Sequence, residues 1–135
     1  MATQTNADFC IAIKNSMNYM QKIGGFGEML AKNYLIKHGY KIIETNVKTS
    51  YQEIDIIAKK GKFTIFVEVK TRTSFALGSA DTALTVKKIK NYKKVINSYM
   101  YDNNFDKRYF RMDLISIDIN KKDNKATIKH YKDIF

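Results

Sequence analysis

Hydrophobic residues alternate most regularly between Glu53 and Arg72. In "KFTIFVEVKTR", Phe63, Ile65, Val67 and Val69 fall on one side, with Thr64, Phe66, Glu68, Lys70 and Arg72 on the other. That is the two-residue period of a strand with one apolar face. "EIDIIA" alternates too, placing Ile54, Ile56 and Ala58 opposite Glu53, Asp55 and Ile57. A Lys60-Gly61 turn joins the two runs into a hairpin.

On either side of the hairpin the period becomes helical. In "GGFGEMLAKNYLIKHGY", Leu30, Ala31, Tyr34 and Leu35 form an apolar stripe, and Gly39 is placed to cap the helix C-terminus. "YKIIETNV" reads as a strand. From Asp81 onward Ile89, Tyr92, Val95, Ile96, Tyr99 and Met100 form a second stripe, with Ser79 or Asp81 as the N-cap. "YFRMDLISIDI" and "ATIKHY" close the chain as strands around the polar turn "NKKDN". The order α-β-β-β-α-β-β predicts an α/β domain, a central mixed sheet flanked by helices, over residues 24–135. Residues 1–23 form an N-terminal extension. Phe9, Ile13, Met17 and Met20 lie at helical spacing there, which predicts a short helix.

Charge narrows the partners. There are 24 basic and 13 acidic residues, a formal +11, and that excess favours a polyanion, nucleic acid being the commonest. Lys87, Lys88, Lys90, Lys93 and Lys94 crowd the second helix with no acid among them, and Lys107, Arg108 and Arg111 open the next strand. With Arg72, these form a candidate nucleic-acid surface of the salt-sensitive, sequence-independent kind. The alternative is a solvated helix face. A single cysteine, Cys10, excludes an intramolecular disulfide and fits a reduced cytoplasmic thiol. The apolar run "FCIAI" is too short for a signal segment or a membrane span. A cytoplasmic protein with no membrane partner is expected.

The polar face of the hairpin carries the candidate chemistry. With Lys60-Gly61 as the turn, Glu53 faces Glu68, and Asp55 faces Phe66, diagonal to Glu68. Like charges directly opposed on neighbouring strands, with Cβ atoms ~5 Å apart, are destabilising. A divalent cation held between the carboxylates would relieve the repulsion. Lys70 lies ~7 Å along the strand from Glu68 on the same face. Carboxylates on a metal beside a lysine suit phosphodiester hydrolysis: the metal activates water and the lysine stabilises charge growing on phosphorus. The competing account is a solvated face with ion pairs worth ~0–1 kcal/mol. Glu28 fits two roles, an acid turned toward the sheet or one that complements the first-turn helix dipole. His38 and His130 read as surface or packing residues, and Asp113 as the ion-pair partner of Arg111.

With "GFGEMLAKNYLIKHGYKI", "EIDIIA", "FVEVKTR" and "RMDLISI", the chain resembles the YraN-like family of bacterial proteins from about Gly24 to Ile119. That family is itself similar to archaeal Holliday-junction resolvases and to the restriction-endonuclease-like superfamily. The resemblance implies that fold, and that Asp55, Glu68 and Lys70 are its acid, acid and lysine. It implies Glu28 as a further metal ligand from the helix, with Glu53 as the acidic neighbour of Asp55. The family carries an arginine or similar residue and then glycine ahead of "EID", where this chain has Tyr51 and Gln52. The implied activity is Mg²⁺-dependent endonucleolytic cleavage of DNA, with branched or structured DNA as the expected substrate and Mn²⁺ as a substitute. Cutting a junction symmetrically implies a homodimer. The alternatives are a non-catalytic nucleic-acid-binding protein on the same fold and a nuclease acting on RNA.

Overall fold

The computed structural model describes residues 3–4, 9–12, 19–73, 85–120 and 122–134. Its elements are β1 (Thr3–Gln4), β2 (Phe9–Ala12), α1 (Tyr19–Lys37), β3 (Lys41–Val47), β4 (Ile54–Lys60), β5 (Phe63–Arg72), α2 (Val86–Asp102), β6 (Phe110–Asn120) and β7 (Lys125–Lys132). From α1 onward the order is the expected α-β-β-β-α-β-β.

The sheet runs β1-β7-β6-β5-β4-β3, with β2 also on β7. Only β5 and β6 are parallel; the other pairings are antiparallel. The connection between these two parallel strands contains α2, since a parallel pair requires a long crossover. This is a mixed α/β sheet of the restriction-endonuclease-like kind. Among the described residues no helix is long and apolar enough to cross a membrane.

Two apolar clusters cover the faces of the sheet. On one, Leu30, Ala31, Tyr34 and Leu35 of α1 pack on Ile56, Ile65, Val67, Ile115 and Ile117. On the other, Tyr92, Val95, Ile96 and Met100 of α2 pack on Ile54, Ile57, Phe66 and Met112. Helix α1 ends as its sequence predicts: Gly39 adopts φ 86°, and the Tyr40 N–H donates to the Leu35 carbonyl at 3.0 Å.

Three sequence expectations change. First, Phe9–Ala12 is not helical: it lies antiparallel to Lys125–Ile128, while Thr3–Gln4 pairs with Tyr131–Lys132. Together they cover the free edge of β7, whose unpaired backbone groups would otherwise be exposed. Ile13 and Met17 lie outside the described residues. Helix α1 starts at Tyr19, so a domain boundary after Ile23 would cut through it. Second, α2 is capped by Thr85, whose side chain accepts the Lys88 N–H; Ser79 and Asp81 lie outside the described residues. Third, Lys60 pairs with Phe63 and Lys59 with Thr64, so the turn residues are Gly61 and Lys62. Gly61 has φ 58°, the positive angle that tight hairpins need at their first central position.

Candidate functional site

The corrected turn moves every cross-strand partner by two residues. The β4–β5 ladder stops at Ile56 and Val67, and the next residues along it are Asp55 and Glu68. Asp55, not Glu53, therefore comes beside Glu68. Beyond this point β4 continues along β3 to Ile54 and β5 continues along β6 to Arg72. Asp55 stands where the two strands part. Its Oδ2 accepts the Val69 N–H at 2.8 Å, so a carboxylate takes a donor that the ladder leaves unpaired.

The alternation of β4 also breaks here. Ile56 faces α1 and Ile54 faces α2, although they are two residues apart. The cause lies across the ladder. Thr45 pairs with Ile56 and Val47 with Ile54, which leaves Asn46 opposite Asp55, and Asn46 has φ 53°. A left-handed residue turns the strand over, and asparagine tolerates that conformation better than most residues with a Cβ.

Asn46 also touches the acids. With its amide oriented by its hydrogen-bond partners, it donates to Glu28 Oε2 at 2.9 Å and to Glu53 Oε1 at 3.1 Å. Glu28 reaches this point because α1 packs very closely on β5. A Cβ built on Gly27 would lie 2.9 Å from Thr71 Cβ and 3.1 Å from its Cγ2, and closer still to its Oγ1. Only glycine fits.

Ligand atoms from Glu28, Glu53 and Asp55 lie within 4.8 Å of one another, and Glu68 is close enough to Asp55 to act on its ionisation. This crowding perturbs the acids. Burial, followed by the charge of Glu68, pushes Asp55 up to about 7. Glu28 is raised by burial and by Glu53 and Glu68, against the opposing hydrogen bond from Asn46. Lys70 Nζ lies 3.2 Å from Glu68 Oε1, and Lys88 Nζ lies 2.7 Å from the same oxygen. Clustered carboxylate oxygens are the donor set that hard divalent cations prefer, so the residues present fit one. Asp55 would be the central ligand, between Glu68 on one side and Glu28 and Glu53 on the other.

The model of the uncharacterised protein family UPF0102 matches residues 27–117. The chain belongs to this family. It is 43% identical over 117 residues to a UPF0102 protein of Caldicellulosiruptor bescii, covering 86% of this chain and 98% of that one. A UPF0102 protein of Clostridium botulinum strain Hall is 39% identical over 121 residues, covering 88% and 98%. One from Clostridium novyi is 33% identical over 118 residues, covering 87% and 98%. The matched span includes Glu28, Glu53, Asp55, Glu68, Lys70 and Lys88.

The basic residues of this UPF0102 chain fall into two groups. On α2, Lys87, Lys90, Lys93 and Lys94 are exposed, whereas Lys88 is half-buried against Glu68. Arg72 ends β5 on the Glu68–Lys70 face. Arg111 does not join them. It lies on the α1 face, paired with Ile65, about 16 Å along β6 from the level of Lys70. Its guanidinium holds Asp113 at 2.8 and 3.1 Å and the Tyr40 hydroxyl at 3.0 Å. His130 Nε2 lies 2.7 Å from Asp113 Oδ2, which it shares with Arg111. Burial would raise Asp113, but the hydrogen bonds from His130 and Arg111 prevail and hold it below its ordinary value. The sequence reading of Asp113 as the partner of Arg111 matches this arrangement; the placing of Arg111 on a nucleic-acid surface does not.

Sequence reasoning missed Asn46 and the inward turn of Lys88. The second had a readable signal: Lys88, Tyr92 and Ile96 are spaced by four, so Lys88 continues the buried row of α2.

Proposed function

We propose that this UPF0102 protein is a divalent-cation-dependent endonuclease that hydrolyses phosphodiester bonds in DNA, with branched or structured DNA as the favoured substrate. The observation that carries the reading is the meeting of Glu28, Glu53 and Asp55 within 4.8 Å, with Glu68 and Lys70 beside them.

Glu28, Asp55 and Glu68 would hold Mg²⁺ or Mn²⁺, with Glu53 assisting. When bound, the cation lowers the pKa of water and offsets negative charge on the phosphate. Lys70, next to Glu68, orients the attacking water and presents a fixed positive charge to the phosphorus centre. The water oxygen bonds to phosphorus, the bond to the leaving ester oxygen breaks, and the water's proton leaves as that oxygen gains one. The exposed lysines of α2 draw in the backbone without reading bases.

The test is incubation with labelled four-way junction, duplex and single-stranded DNA, and RNA, with and without Mg²⁺ or Mn²⁺. Metal-dependent cutting of DNA, lost in Asp55→Ala and Lys70→Ala, is the expected result. Salt-sensitive binding with no cutting under either metal would replace it with a non-catalytic binding role, and cutting confined to RNA would change the substrate.

A further inference from the structure

Five lysines lie on α2 between Lys87 and Lys94, and four of them are exposed. Lys88 is the exception. Its backbone is pinned by the Thr85 cap, which accepts its N–H at 3.2 Å, and its side chain follows the Tyr92–Ile96 row toward the sheet. Its ammonium reaches Glu68 Oε1 at 2.7 Å, where Lys70 also lies at 3.2 Å. Burial opposes its charge, but the hydrogen bond it donates to Glu68 and the negative charges of Glu68 and Asp55 together outweigh burial and raise its pKa.

Two ammonium groups on one carboxylate oxygen suit an acid that has no metal to bind. Four carboxylates (Glu28, Glu53, Asp55 and Glu68) against Lys70 and Lys88 leave a formal charge of −2, the charge that one divalent cation balances. A divalent cation held by Glu68 would repel both ammoniums. Lys70 is tethered two residues away on the same strand. Lys88 comes from a different element, on a flexible four-carbon stem, and is the one free to leave. Lys87, Lys90 and Lys94 line the exposed side of the same helix, so a phosphate backbone lying on them meets Lys88 where it approaches the acids.

We propose that Lys88 is a second catalytic lysine that changes partner: it holds Glu68 while the acids are empty and takes a phosphate oxygen of the substrate once they hold a divalent cation. This rests on the nuclease reading above and adds to it an order of events, cation first and nucleic acid second.

The experiment compares wild type with Lys88→Met, Lys88→Arg and the exposed, charge-matched control Lys62→Met at the far end of the hairpin. Calorimetry with Mg²⁺ alone reads metal affinity, and single-turnover cleavage of the DNA cut in the panel above reads chemistry. Lys88→Met is expected to bind Mg²⁺ more tightly, by up to about tenfold, because a cation near the divalent charge is gone. It should cleave about 100-fold more slowly. Lys88→Arg should keep most of the cleavage rate, and Lys62→Met should change neither measurement. A lysine that merely props Glu68 in place predicts the opposite sign for metal, weaker binding together with slower cleavage; that result, or a Lys88→Met indistinguishable from wild type, overturns the proposal while leaving the nuclease intact. Wild type that neither takes up Mg²⁺ nor cuts DNA removes the nuclease reading itself, and the role of Lys88 with it.

Discussion

Metal uptake by this protein should compete with a proton. Asp55, pushed up to about 7 by burial and by Glu68, is mostly protonated near pH 6, and a cation needs the carboxylate. For one displaced proton the apparent affinity falls by a factor of 1 + 10^(pKa − pH), so Mg²⁺ should bind about tenfold more weakly near pH 6 than near pH 8. Titration calorimetry in two buffers of different ionisation enthalpy measures this directly. About one proton should leave per cation near pH 6 and almost none near pH 8. The same shift acts on the metal-free fold. Unfolded Asp55 loses its proton near 3.8, while the folded form keeps it to about 7. The folded state therefore binds more protons across that window, and stability falls as pH rises through it. Mg²⁺ should restore stability above about pH 7, where the carboxylate is free to bind it. Affinity that stays flat from about pH 6 to pH 8, with no proton released at the lower end, would refute the placing of Asp55 at the centre of the cation site.

Gly27→Ala should gain ~1 kcal/mol of helix propensity but lose ~1–3 kcal/mol to overpacking against Thr71. Rotating Thr71 still leaves its Cβ at 2.9 Å, so α1 must back away. Urea unfolding should show a net loss, and calorimetry should show weaker Mg²⁺ binding as Glu28 withdraws. Asn46→Gly and Asn46→Ala separate the backbone from the amide at that position. Both should weaken Mg²⁺ binding alike, while Asn46→Ala should be less stable than Asn46→Gly by about 1 kcal/mol because alanine resists the left-handed conformation. Equal stabilities would show that the φ of 53° carries no strain. Asp113→Asn should cost about 3–5 kcal/mol in denaturant unfolding by leaving Arg111 and His130 without their carboxylate. The lowered pKa of Asp113 contributes stability above 3.8 that is lost as pH falls through its folded value, so wild type should show an acid-sensitive limb that the variant lacks.

What could be read from the sequence, and what could not, follows from how far each signal reaches along the chain. The faces of β5 were legible because ten residues of alternation overdetermine a strand, and Glu68, Lys70 and Arg72 took the side expected of them. Register was not, because it depends on one turn. Glycine serves a tight turn at either central position, and choosing the wrong one brings Glu53 instead of Asp55 beside Glu68. Phe9–Ala12 is four residues long, too short for a period to decide helix or strand; the open edge of β7 decides it. Arg111 was misplaced because β6 is apolar on both faces, with Met112 and Leu114 on one and Ile115 and Ile117 on the other, so alternation does not say which side meets α2.

The remaining failures of local rules share one location. Alternation in β4 breaks between Ile54 and Ile56, Asn46 opposite Asp55 takes a left-handed φ, and Gly27 sits inside a helix at a point where no Cβ fits. The β4–β5 ladder also gives up a backbone partner there, for a carboxylate. Each of these departures costs stability by itself, ~1 kcal/mol for the helical glycine and ~1–2 kcal/mol for the left-handed asparagine, and each brings an acid closer to another acid. A fold selected only for stability gains nothing from forcing Glu28, Glu53, Asp55 and Glu68 together. Strain that collects around mutually repelling groups is better accounted for by something that binds them, and for four carboxylates beside two lysines the proposed divalent cation and phosphate would fill that part.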